Sequence, residues 1–447
     1  MNIYNQKFLV LGVSKSGFCA CKLLLSKNAK CYFYEEILNE KTIKSINELE
    51  ELGAQKVDKE DVDNVLKVID VLIISPGVKI NHEIALKCKS LGKRIIGELE
   101  FGFLSLMPEI IAVTGTNGKT TTVNLINAIY NEAGKQSKLL GNVGVPVCLE
   151  AENIDRQSVC IVEVSSYQLE AISAFCPHIS CILNISPDHL ERHYTMENYV
   201  YLKKRIFKNQ KESEYVVLNY NDEILRGIVS EIQSKIIWVS LNEKIDGAYR
   251  LNKKLYFKEQ LIMDENDLAL KGEHNVENAL FAIACAKIDN IESSVIAKAL
   301  SEFKGVEHRI EFVDKINEVS FYNDSKATNT SSTISAIKSI DGEKILILGG
   351  SEKGEKYENL FEKIKCNNVK HVVLYGASRF NMMNSAINVN YNDITLTKNL
   401  ESAMKISVIL AESGDSVVLS PACASFDEFS SFEERGNAFK SFVEKLK

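Results

Sequence analysis

No apolar stretch in the 447-residue chain approaches the roughly 20 residues needed to span a bilayer, so no membrane anchor is expected. Met1 leads into the strand-like run Phe8-Leu9-Val10-Leu11 with no signal peptide ahead of it, and a cytoplasmic location is expected. An excess of basic charge is also missing. With 53 Lys and Arg against 60 Asp and Glu, the net charge is -7, which disfavours a general nucleic-acid binder. Any anion must therefore be bound locally. The 11 cysteines are odd in number and include no C-x-x-C pair, so they read as buried thiols in a reducing compartment rather than a disulfide frame or zinc site. Internal repeats, low-complexity segments and long disordered linkers are absent too. What is present, 45% hydrophobic and 25% charged residues, is ordinary for a soluble globular protein. The length exceeds what one core organises, and two or three domains of roughly 100–200 residues are expected.

Short β-branched runs alternate with helical-period stretches and Gly-containing turns, the pattern of parallel sheets flanked by helices. The first such series runs from the strand Phe8 to Leu11 through the turn Gly12 to Gly17 into a helix burying Phe18, Cys21, Leu24 and Leu25. It continues to strands at Cys31 to Tyr34 and Val71 to Ile74. The latter ends in Ser75-Pro76-Gly77, a sharp loop at the strand end where open α/β sheets bind ligands. The turn reads G-V-S-K-S-G and lacks the middle glycine of a dinucleotide fingerprint. A second series starts at Ile110 to Val113 and continues through Val159 to Val162, Ile179 to Leu183 and Tyr215 to Leu218. A third comes after a helix ending about Phe303 and includes Ile345 to Leu348, Val372 to Leu374 and Ser416 to Leu419. This places domains at 1–99, 100–305 and 306–447.

The strongest local signal is Thr114-Gly115-Thr116-Asn117-Gly118-Lys119-Thr120-Thr121-Thr122, set between a strand and a helix that shares Val123, Ile126, Ile129 and Tyr130 on one face. Glycines let backbone N–H groups approach phosphate oxygens, and the helix start adds positive dipole. Lys119 reaches the outer phosphates, and Thr120 offers a hydroxyl to Mg²⁺. Glu163, Asp188 and His189 stand at the ends of neighbouring strands, on the edge where Thr120 emerges, and carboxylate oxygens suit the Mg²⁺ that bridges ATP phosphates. His189 and His193 are four apart, but H-L-E-R-H is not the H-E-x-x-H of a zinc hydrolase. Taken alone, His189 reads as a helix cap or surface group, and Asn275 equally as a cap.

These segments resemble the Mur ligase family, whose loop reads T-G-T-N-G-K-T as here. G-N-V-G at Gly141 to Gly144, H-N-V-E-N-A at His274 to Ala279, E-H-R-I-E at Glu307 to Glu311 and N-D-S-K-A-T-N at Asn323 to Asn329 fit along nearly the whole chain. The last two, with S-P-A-C-A-S-F-D-E-F at Ser420 to Phe429, are most similar to the members that add D-glutamate, and the D-N-P-R motif of a sister ligase is missing. The resemblance implies an α/β fold of three domains: a Rossmann-like N-terminal domain for the UDP substrate, a central P-loop-type ATPase domain, and a Rossmann-like C-terminal domain for the amino acid. It implies a monomer that uses ATP and two Mg²⁺ ions, with Mn²⁺ an alternative, to join D-glutamate to UDP-N-acetylmuramoyl-L-alanine through an acyl phosphate.

The same resemblance implies the site residues. Thr120 and Glu163 would hold one cation. His189 would hold the second with Lys203, which the family carbamylates with CO₂, since an ammonium cannot ligate a cation. Gly115, Thr116, Asn117, Gly118, Lys119, Thr120, Thr121, Asn275, Asn278, Arg309, Asp324 and Lys326 would contact ATP. Ser14, Lys15, Ser16, Glu35, Glu36, Ser75, Pro76 and Gly77 would surround the uridine nucleotide, with Asn142 near the muramoyl part. Lys326, Thr328, Lys353, Ser425 and Phe432 would hold D-glutamate. Competing readings are a sister ligase or folylpolyglutamate synthetase, a P-loop kinase with a hydroxyl acceptor, and a nucleotide-binding regulator without catalysis.

Overall fold

A computed structural model describes residues 6–106, 108–351 and 356–447. The described residues form two compact units. The first comprises the chain to Ala269 together with Glu273–Phe303, and the second Leu270–Gly272 with Lys304–Lys447.

The first unit contains two sheets. Strands β1 (Lys7–Leu11), β2 (Lys30–Tyr34), β3 (Gln55–Lys56), β4 (Val71–Ile74) and β5 (Arg94–Gly97) pair in parallel in the order β3-β2-β1-β4-β5. β1 and β4 are apolar along nearly their whole lengths because helices cover both faces, as a parallel sheet requires. The helix Lys15–Ser26 buries Cys19, Ala20, Cys21, Leu23 and Leu24, while Phe18 and Leu25 lie at the margin of that core.

The second sheet has nine strands: β6 (Glu109–Thr114), β7 (Ser137–Gly141), β8 (Val159–Glu163), β9 (Ile179–Ile182), β10 (Tyr215–Asn219), β11 (Lys235–Ser240), β12 (Gly247–Leu251), β13 (Lys254–Phe257) and β14 (Gln260–Asp264). Their order is β14-β13-β12-β11-β10-β9-β6-β8-β7, parallel except for the β12-β13-β14 meander. β6 sits between β9 and β8, so the loops leaving these three strands converge on one edge. Between the two sheets in sequence, the helix Glu98–Phe103 carries Glu100, a buried carboxylate that accepts N–H bonds from Ser173, Ala174 and Phe175.

The second unit holds β15 (Glu311–Ile316), β16 (Val319–Asn323), β17 (Lys344–Gly349), β18 (Val369–Tyr375), β19 (Ile394–Leu396) and β20 (Ser416–Leu419), in the order β15-β16-β20-β17-β18-β19. Only β15 runs antiparallel to its neighbour. Burial of side chains such as Ile345, Leu346, Val373 and Val418, each contributing about 1.5–3 kcal/mol, dominates stability. Exposed ion pairs such as Lys87–Asp63 add little beside it, because water and salt screen them.

All 11 cysteines are free thiols, and all except Cys176 and Cys366 are buried. Among the described residues no helix is long and apolar enough to cross a membrane.

Candidate active site

Because β6, β8 and β9 are parallel, Thr114, Glu163 and Ile182 end on the same edge, and the segments leaving the three strands meet there. The loop Gly115–Gly118 leads into the helix Lys119–Glu132. Gly118 has φ 86°, and a Cβ built on it would lie 2.4 Å from Asn278 Oδ1. Only glycine fits such a conformation at so close an approach. The Thr122 hydroxyl donates to the same Asn278 oxygen at 3.2 Å, tying the loop's helix to the helix Glu273–Ile288. Asn275 lies inside that helix's first turn and not at its cap.

The loop is braced from the far side by the segment after β9. Thr116 N donates to the Asn184 carbonyl at 3.0 Å, Asn117 N to Asn184 Oδ1 at 2.9 Å, and the Thr116 hydroxyl to the Ser186 carbonyl at 3.1 Å. Asn184 and Tyr199, whose hydroxyl lies 3.2 Å from Thr116 Oγ1, were not singled out in the sequence; the N-I-S-P-D-H run contains the only hint of the first.

Thr120 is buried, and its hydroxyl donates to Glu163 Oε2 at 2.7 Å, while Asn142 Nδ2 donates to Glu163 Oε1 at 2.7 Å. Asn142 reaches Glu163 because β7 lies beside β8 and because Gly141, at φ 97°, turns the chain so tightly that an added Cβ would stand 2.4 Å from the Glu163 carbonyl. Lys119 Nζ donates to the carbonyls of Gly115 and Thr116, each at 2.8 Å. Thr121 is buried beside it, and Asn117 is exposed.

Lys203 stands in the last turn of the helix Met196–Lys204 and is only 2% exposed. Its Nζ donates to the Gly115 carbonyl at 2.8 Å and lies 4.6 Å from the Tyr199 ring centroid. Burial, and then the nearby charge of Lys119, hold its pKa well below 10.5. His189 stands at the N-cap position of the turn Leu190–His193 with φ 53° and a half-exposed side chain, near Asp188 and Glu191. His193 points elsewhere. It is buried, 2.9 Å from the Ser166 hydroxyl and 3.5 Å from Glu170. Among the described residues, no three His, Cys, Asp or Glu side chains form a ready metal cluster.

At the carboxyl edge of the first sheet, Glu35 accepts from Val13 N at 2.7 Å and Ile37 N at 2.9 Å, bracing the Gly12 turn. Ser75 donates to the Gly12 carbonyl at 2.7 Å, and Glu36 lies 3.3 Å from His82 Nε2. Ser14 is exposed, and Ser16 is half-buried on the first turn of the helix that Lys15 opens. Lys15 Nζ donates to the Gly144 carbonyl at 3.1 Å, so this edge touches the G-N-V-G turn. Pro76 and Gly77 line the loop after β4.

In the second unit, Asp324 directly succeeds β16, accepts from the Ser420 hydroxyl at 2.7 Å and from Ile310 N at 3.2 Å, and has its pKa pushed up to about 7 by burial, against the pull of Ser420 and Arg309. Lys326 Nζ lies 5.4 Å from the Phe432 ring centroid, Thr328 N closes the same turn by donating to the Lys326 carbonyl, and the Arg309 Nε has no hydrogen-bond partner among the described residues. The Ser425 hydroxyl is likewise buried without one. Arg435, which the sequence did not flag, is fully buried and ties Ser325 to the Cys423 carbonyl. Lys353 lies outside the described residues.

Residues 113–286 match the family model for the Mur ligase middle domain and residues 308–423 that for the Mur ligase, glutamate ligase domain. The chain belongs to the Mur ligase family. Within that family, it is 40% identical over the full length of both chains to a protein from Caldanaerobacter subterraneus subsp. tengcongensis named UDP-N-acetylmuramoylalanine--D-glutamate ligase, and 41% identical, again over both full lengths, to one of the same name from Clostridioides difficile. Solved Mur ligases share the fold. MurC from Thermotoga maritima superposes with a TM-score of 0.64 at 18% identity, over 99% of this chain and 100% of that one. A Thermotoga maritima MurF ligase in complex with ADP gives 0.63 at 15%, over 100% of each.

Proposed function

We propose that this Mur ligase joins D-glutamate to UDP-N-acetylmuramoyl-L-alanine in an ATP-dependent reaction through an acyl phosphate, as a cytoplasmic monomer that makes a peptidoglycan precursor. The observation that carries the reading is the Thr120–Glu163 pair, 2.7 Å apart at the start of the helix that Lys119 opens. A hydroxyl and a carboxylate oxygen beside a helix N-terminus are the donors that a metal-bound triphosphate needs. The full-length relatives named for this reaction support the choice of substrates.

In this reading the acceptor carboxylate attacks the γ-phosphorus in line, and the bond from that phosphorus to the ADP oxygen breaks. Lys119 offsets charge on the transferring group, while Gly115, Thr116, Asn117, Gly118 and Thr121 cradle the phosphates. The D-glutamate amine, having lost a proton, then attacks the acyl carbon, and phosphate leaves. No covalent bond to the enzyme forms. Mg²⁺, or Mn²⁺ in its place, would draw off charge from the phosphates, held by Thr120 and Glu163 at one position and by His189 and carbamylated Lys203 at the other. The neutral amine is the form of lysine that adds to CO₂, and the burial of Lys203 beside Lys119 favours it.

Residues 1–99 would take the uridine nucleotide through Ser14, Lys15, Ser16, Glu35, Glu36, Ser75, Pro76 and Gly77, with Asn142 toward the muramoyl end. Residues 100–305 would hold ATP, with Asn275 and Asn278 contributing. Residues 306–447 would supply Arg309, Asp324 and Lys326 to ATP, and Lys326, Thr328, Lys353, Ser425 and Phe432 to D-glutamate, whose carboxylates suit the unpartnered Ser425 hydroxyl. Inorganic phosphate released from ATP only when both the UDP-linked acceptor and D-glutamate are present supports the proposal. Equal release with another amino acid overturns it.

A further inference from the structure

Arg192 has no part in the roles above, yet its guanidinium is engaged on every side. Nε and Nη2 donate to the two carboxylate oxygens of Glu170 at 2.9 and 2.7 Å, a bidentate pair. Nη2 also donates to the Val78 carbonyl at 2.9 Å, and Nη1 to the Gly77 carbonyl at 3.4 Å. The guanidinium lies 4.2 Å from the centroid of the Tyr167 ring. Both charged side chains are 9% exposed.

These contacts join three segments that leave different strands. Glu170 belongs to the stretch that begins at Glu163, Arg192 lies three residues after His189, and Gly77 and Val78 belong to the loop after β4. That loop in turn packs on the first Gly-containing turn. Ser75 bonds the Gly12 carbonyl, and Val78 Cγ2 stands 2.9 Å from where a Cβ on Gly12 would be. The Ser75–Val78 loop and the Gly12 turn are thus in direct contact. An anchor that only held surfaces together could end at Glu170; the two carbonyl contacts additionally fix where the loop backbone sits relative to His189.

We propose that Arg192 is a positioning residue for the UDP-linked acceptor: it fixes the span between the loop that holds the nucleotide end and the edge where the carboxylate end reacts. This rests on the functional reading above. A long substrate gripped at one end delivers its reactive group at the other, so an error in the span weakens productive binding of that substrate and of no other.

The test is steady-state kinetics and calorimetry on the full chain with Arg192→Met and Arg192→Lys. Losing a bidentate charged anchor is expected to raise KM for the UDP-linked acceptor about tenfold in Arg192→Met. KM values for ATP and D-glutamate should stay within about twofold of wild type. Arg192→Lys, which keeps the charge but not the fork, should fall between. If Arg192→Met does not fold, the Lys variant decides. A folded variant with unchanged KM for the acceptor, or with all three KM values rising together, overturns the proposal. Wild-type chain that fails to bind the UDP-linked acceptor in calorimetry overturns the underlying reading instead.

Discussion

Lys119 and Lys203 converge on one acceptor: each Nζ lies 2.8 Å from the carbonyl oxygen of Gly115. Lys203 is almost fully buried, and that burial, followed by the nearby charge of Lys119, holds its pKa well below 10.5. This environment favours the neutral amine of Lys203.

Carbamylation of that amine makes a prediction. Enzyme equilibrated with ¹³C-bicarbonate should show a carbamate carbon signal that Lys203→Arg lacks, and the variant should lose kcat by on the order of 10²–10³. An identical signal in the variant, or activity unchanged from wild type, would exclude Lys203 as the modified residue.

The Gly118–Asn278 approach predicts the effect of a single methyl group. Gly118→Ala must carry a left-handed conformation costing about 1–2 kcal/mol and place Cβ 2.4 Å from the Asn278 amide oxygen. Unfolding midpoints should fall, and affinity for an ATP analogue should fall with them. Wild-type affinity in this variant would mean that the loop's shape does not govern nucleotide binding.

Two buried groups, His193 and Asp324, should make stability depend on pH with opposite signs. Burial holds the His193 pKa below 6.5, so an unfolded chain takes up a proton there that the folded one refuses. Its contribution is present above 6.5 and lost as pH falls below that value. Asp324 has the reverse sign: its carboxyl is raised from 3.8 to about 7, so the folded chain keeps a proton that the unfolded one releases, and stability falls as pH rises between those values. Urea titrations from about pH 4 to 8 should show a weaker acid-side loss in His193→Gln and a flatter decline toward neutral pH in Asp324→Asn. Superimposable profiles for variants and wild type would contradict both assignments.

The strands that build the sites were legible because a parallel strand covered on both faces is apolar along nearly all its length, as at Val71–Ile74 and Val159–Glu163. The β12-β13-β14 meander was not, since R-L-N-K-K-L-Y-F-K-E-Q-L mixes polar with apolar residues around turns at Asn252 and Lys253 and resembles a surface loop. The phosphate loop announced itself locally. Its supports did not: Asn142 lies 21 residues from Glu163, and Asn184 67 residues from Asn117, so only strand order brings them together. The burial of Lys203 was equally hidden, because Y-L-K-K-R-I-F reads as a solvated helix face. Arg192 sat within H-L-E-R-H, where the two histidines drew attention as metal ligands; in the fold the arginine binds Glu170 and the second histidine packs against Ser166.

The central claim is that the acceptor's carboxylate becomes an acyl phosphate, and oxygen labelling tests it most directly. UDP-N-acetylmuramoyl-L-alanine carrying ¹⁸O in its alanyl carboxylate, turned over with ATP and D-glutamate, should pass one labelled oxygen to the inorganic phosphate in each cycle. Phosphate free of label, alongside normal amide formation, would contradict the account.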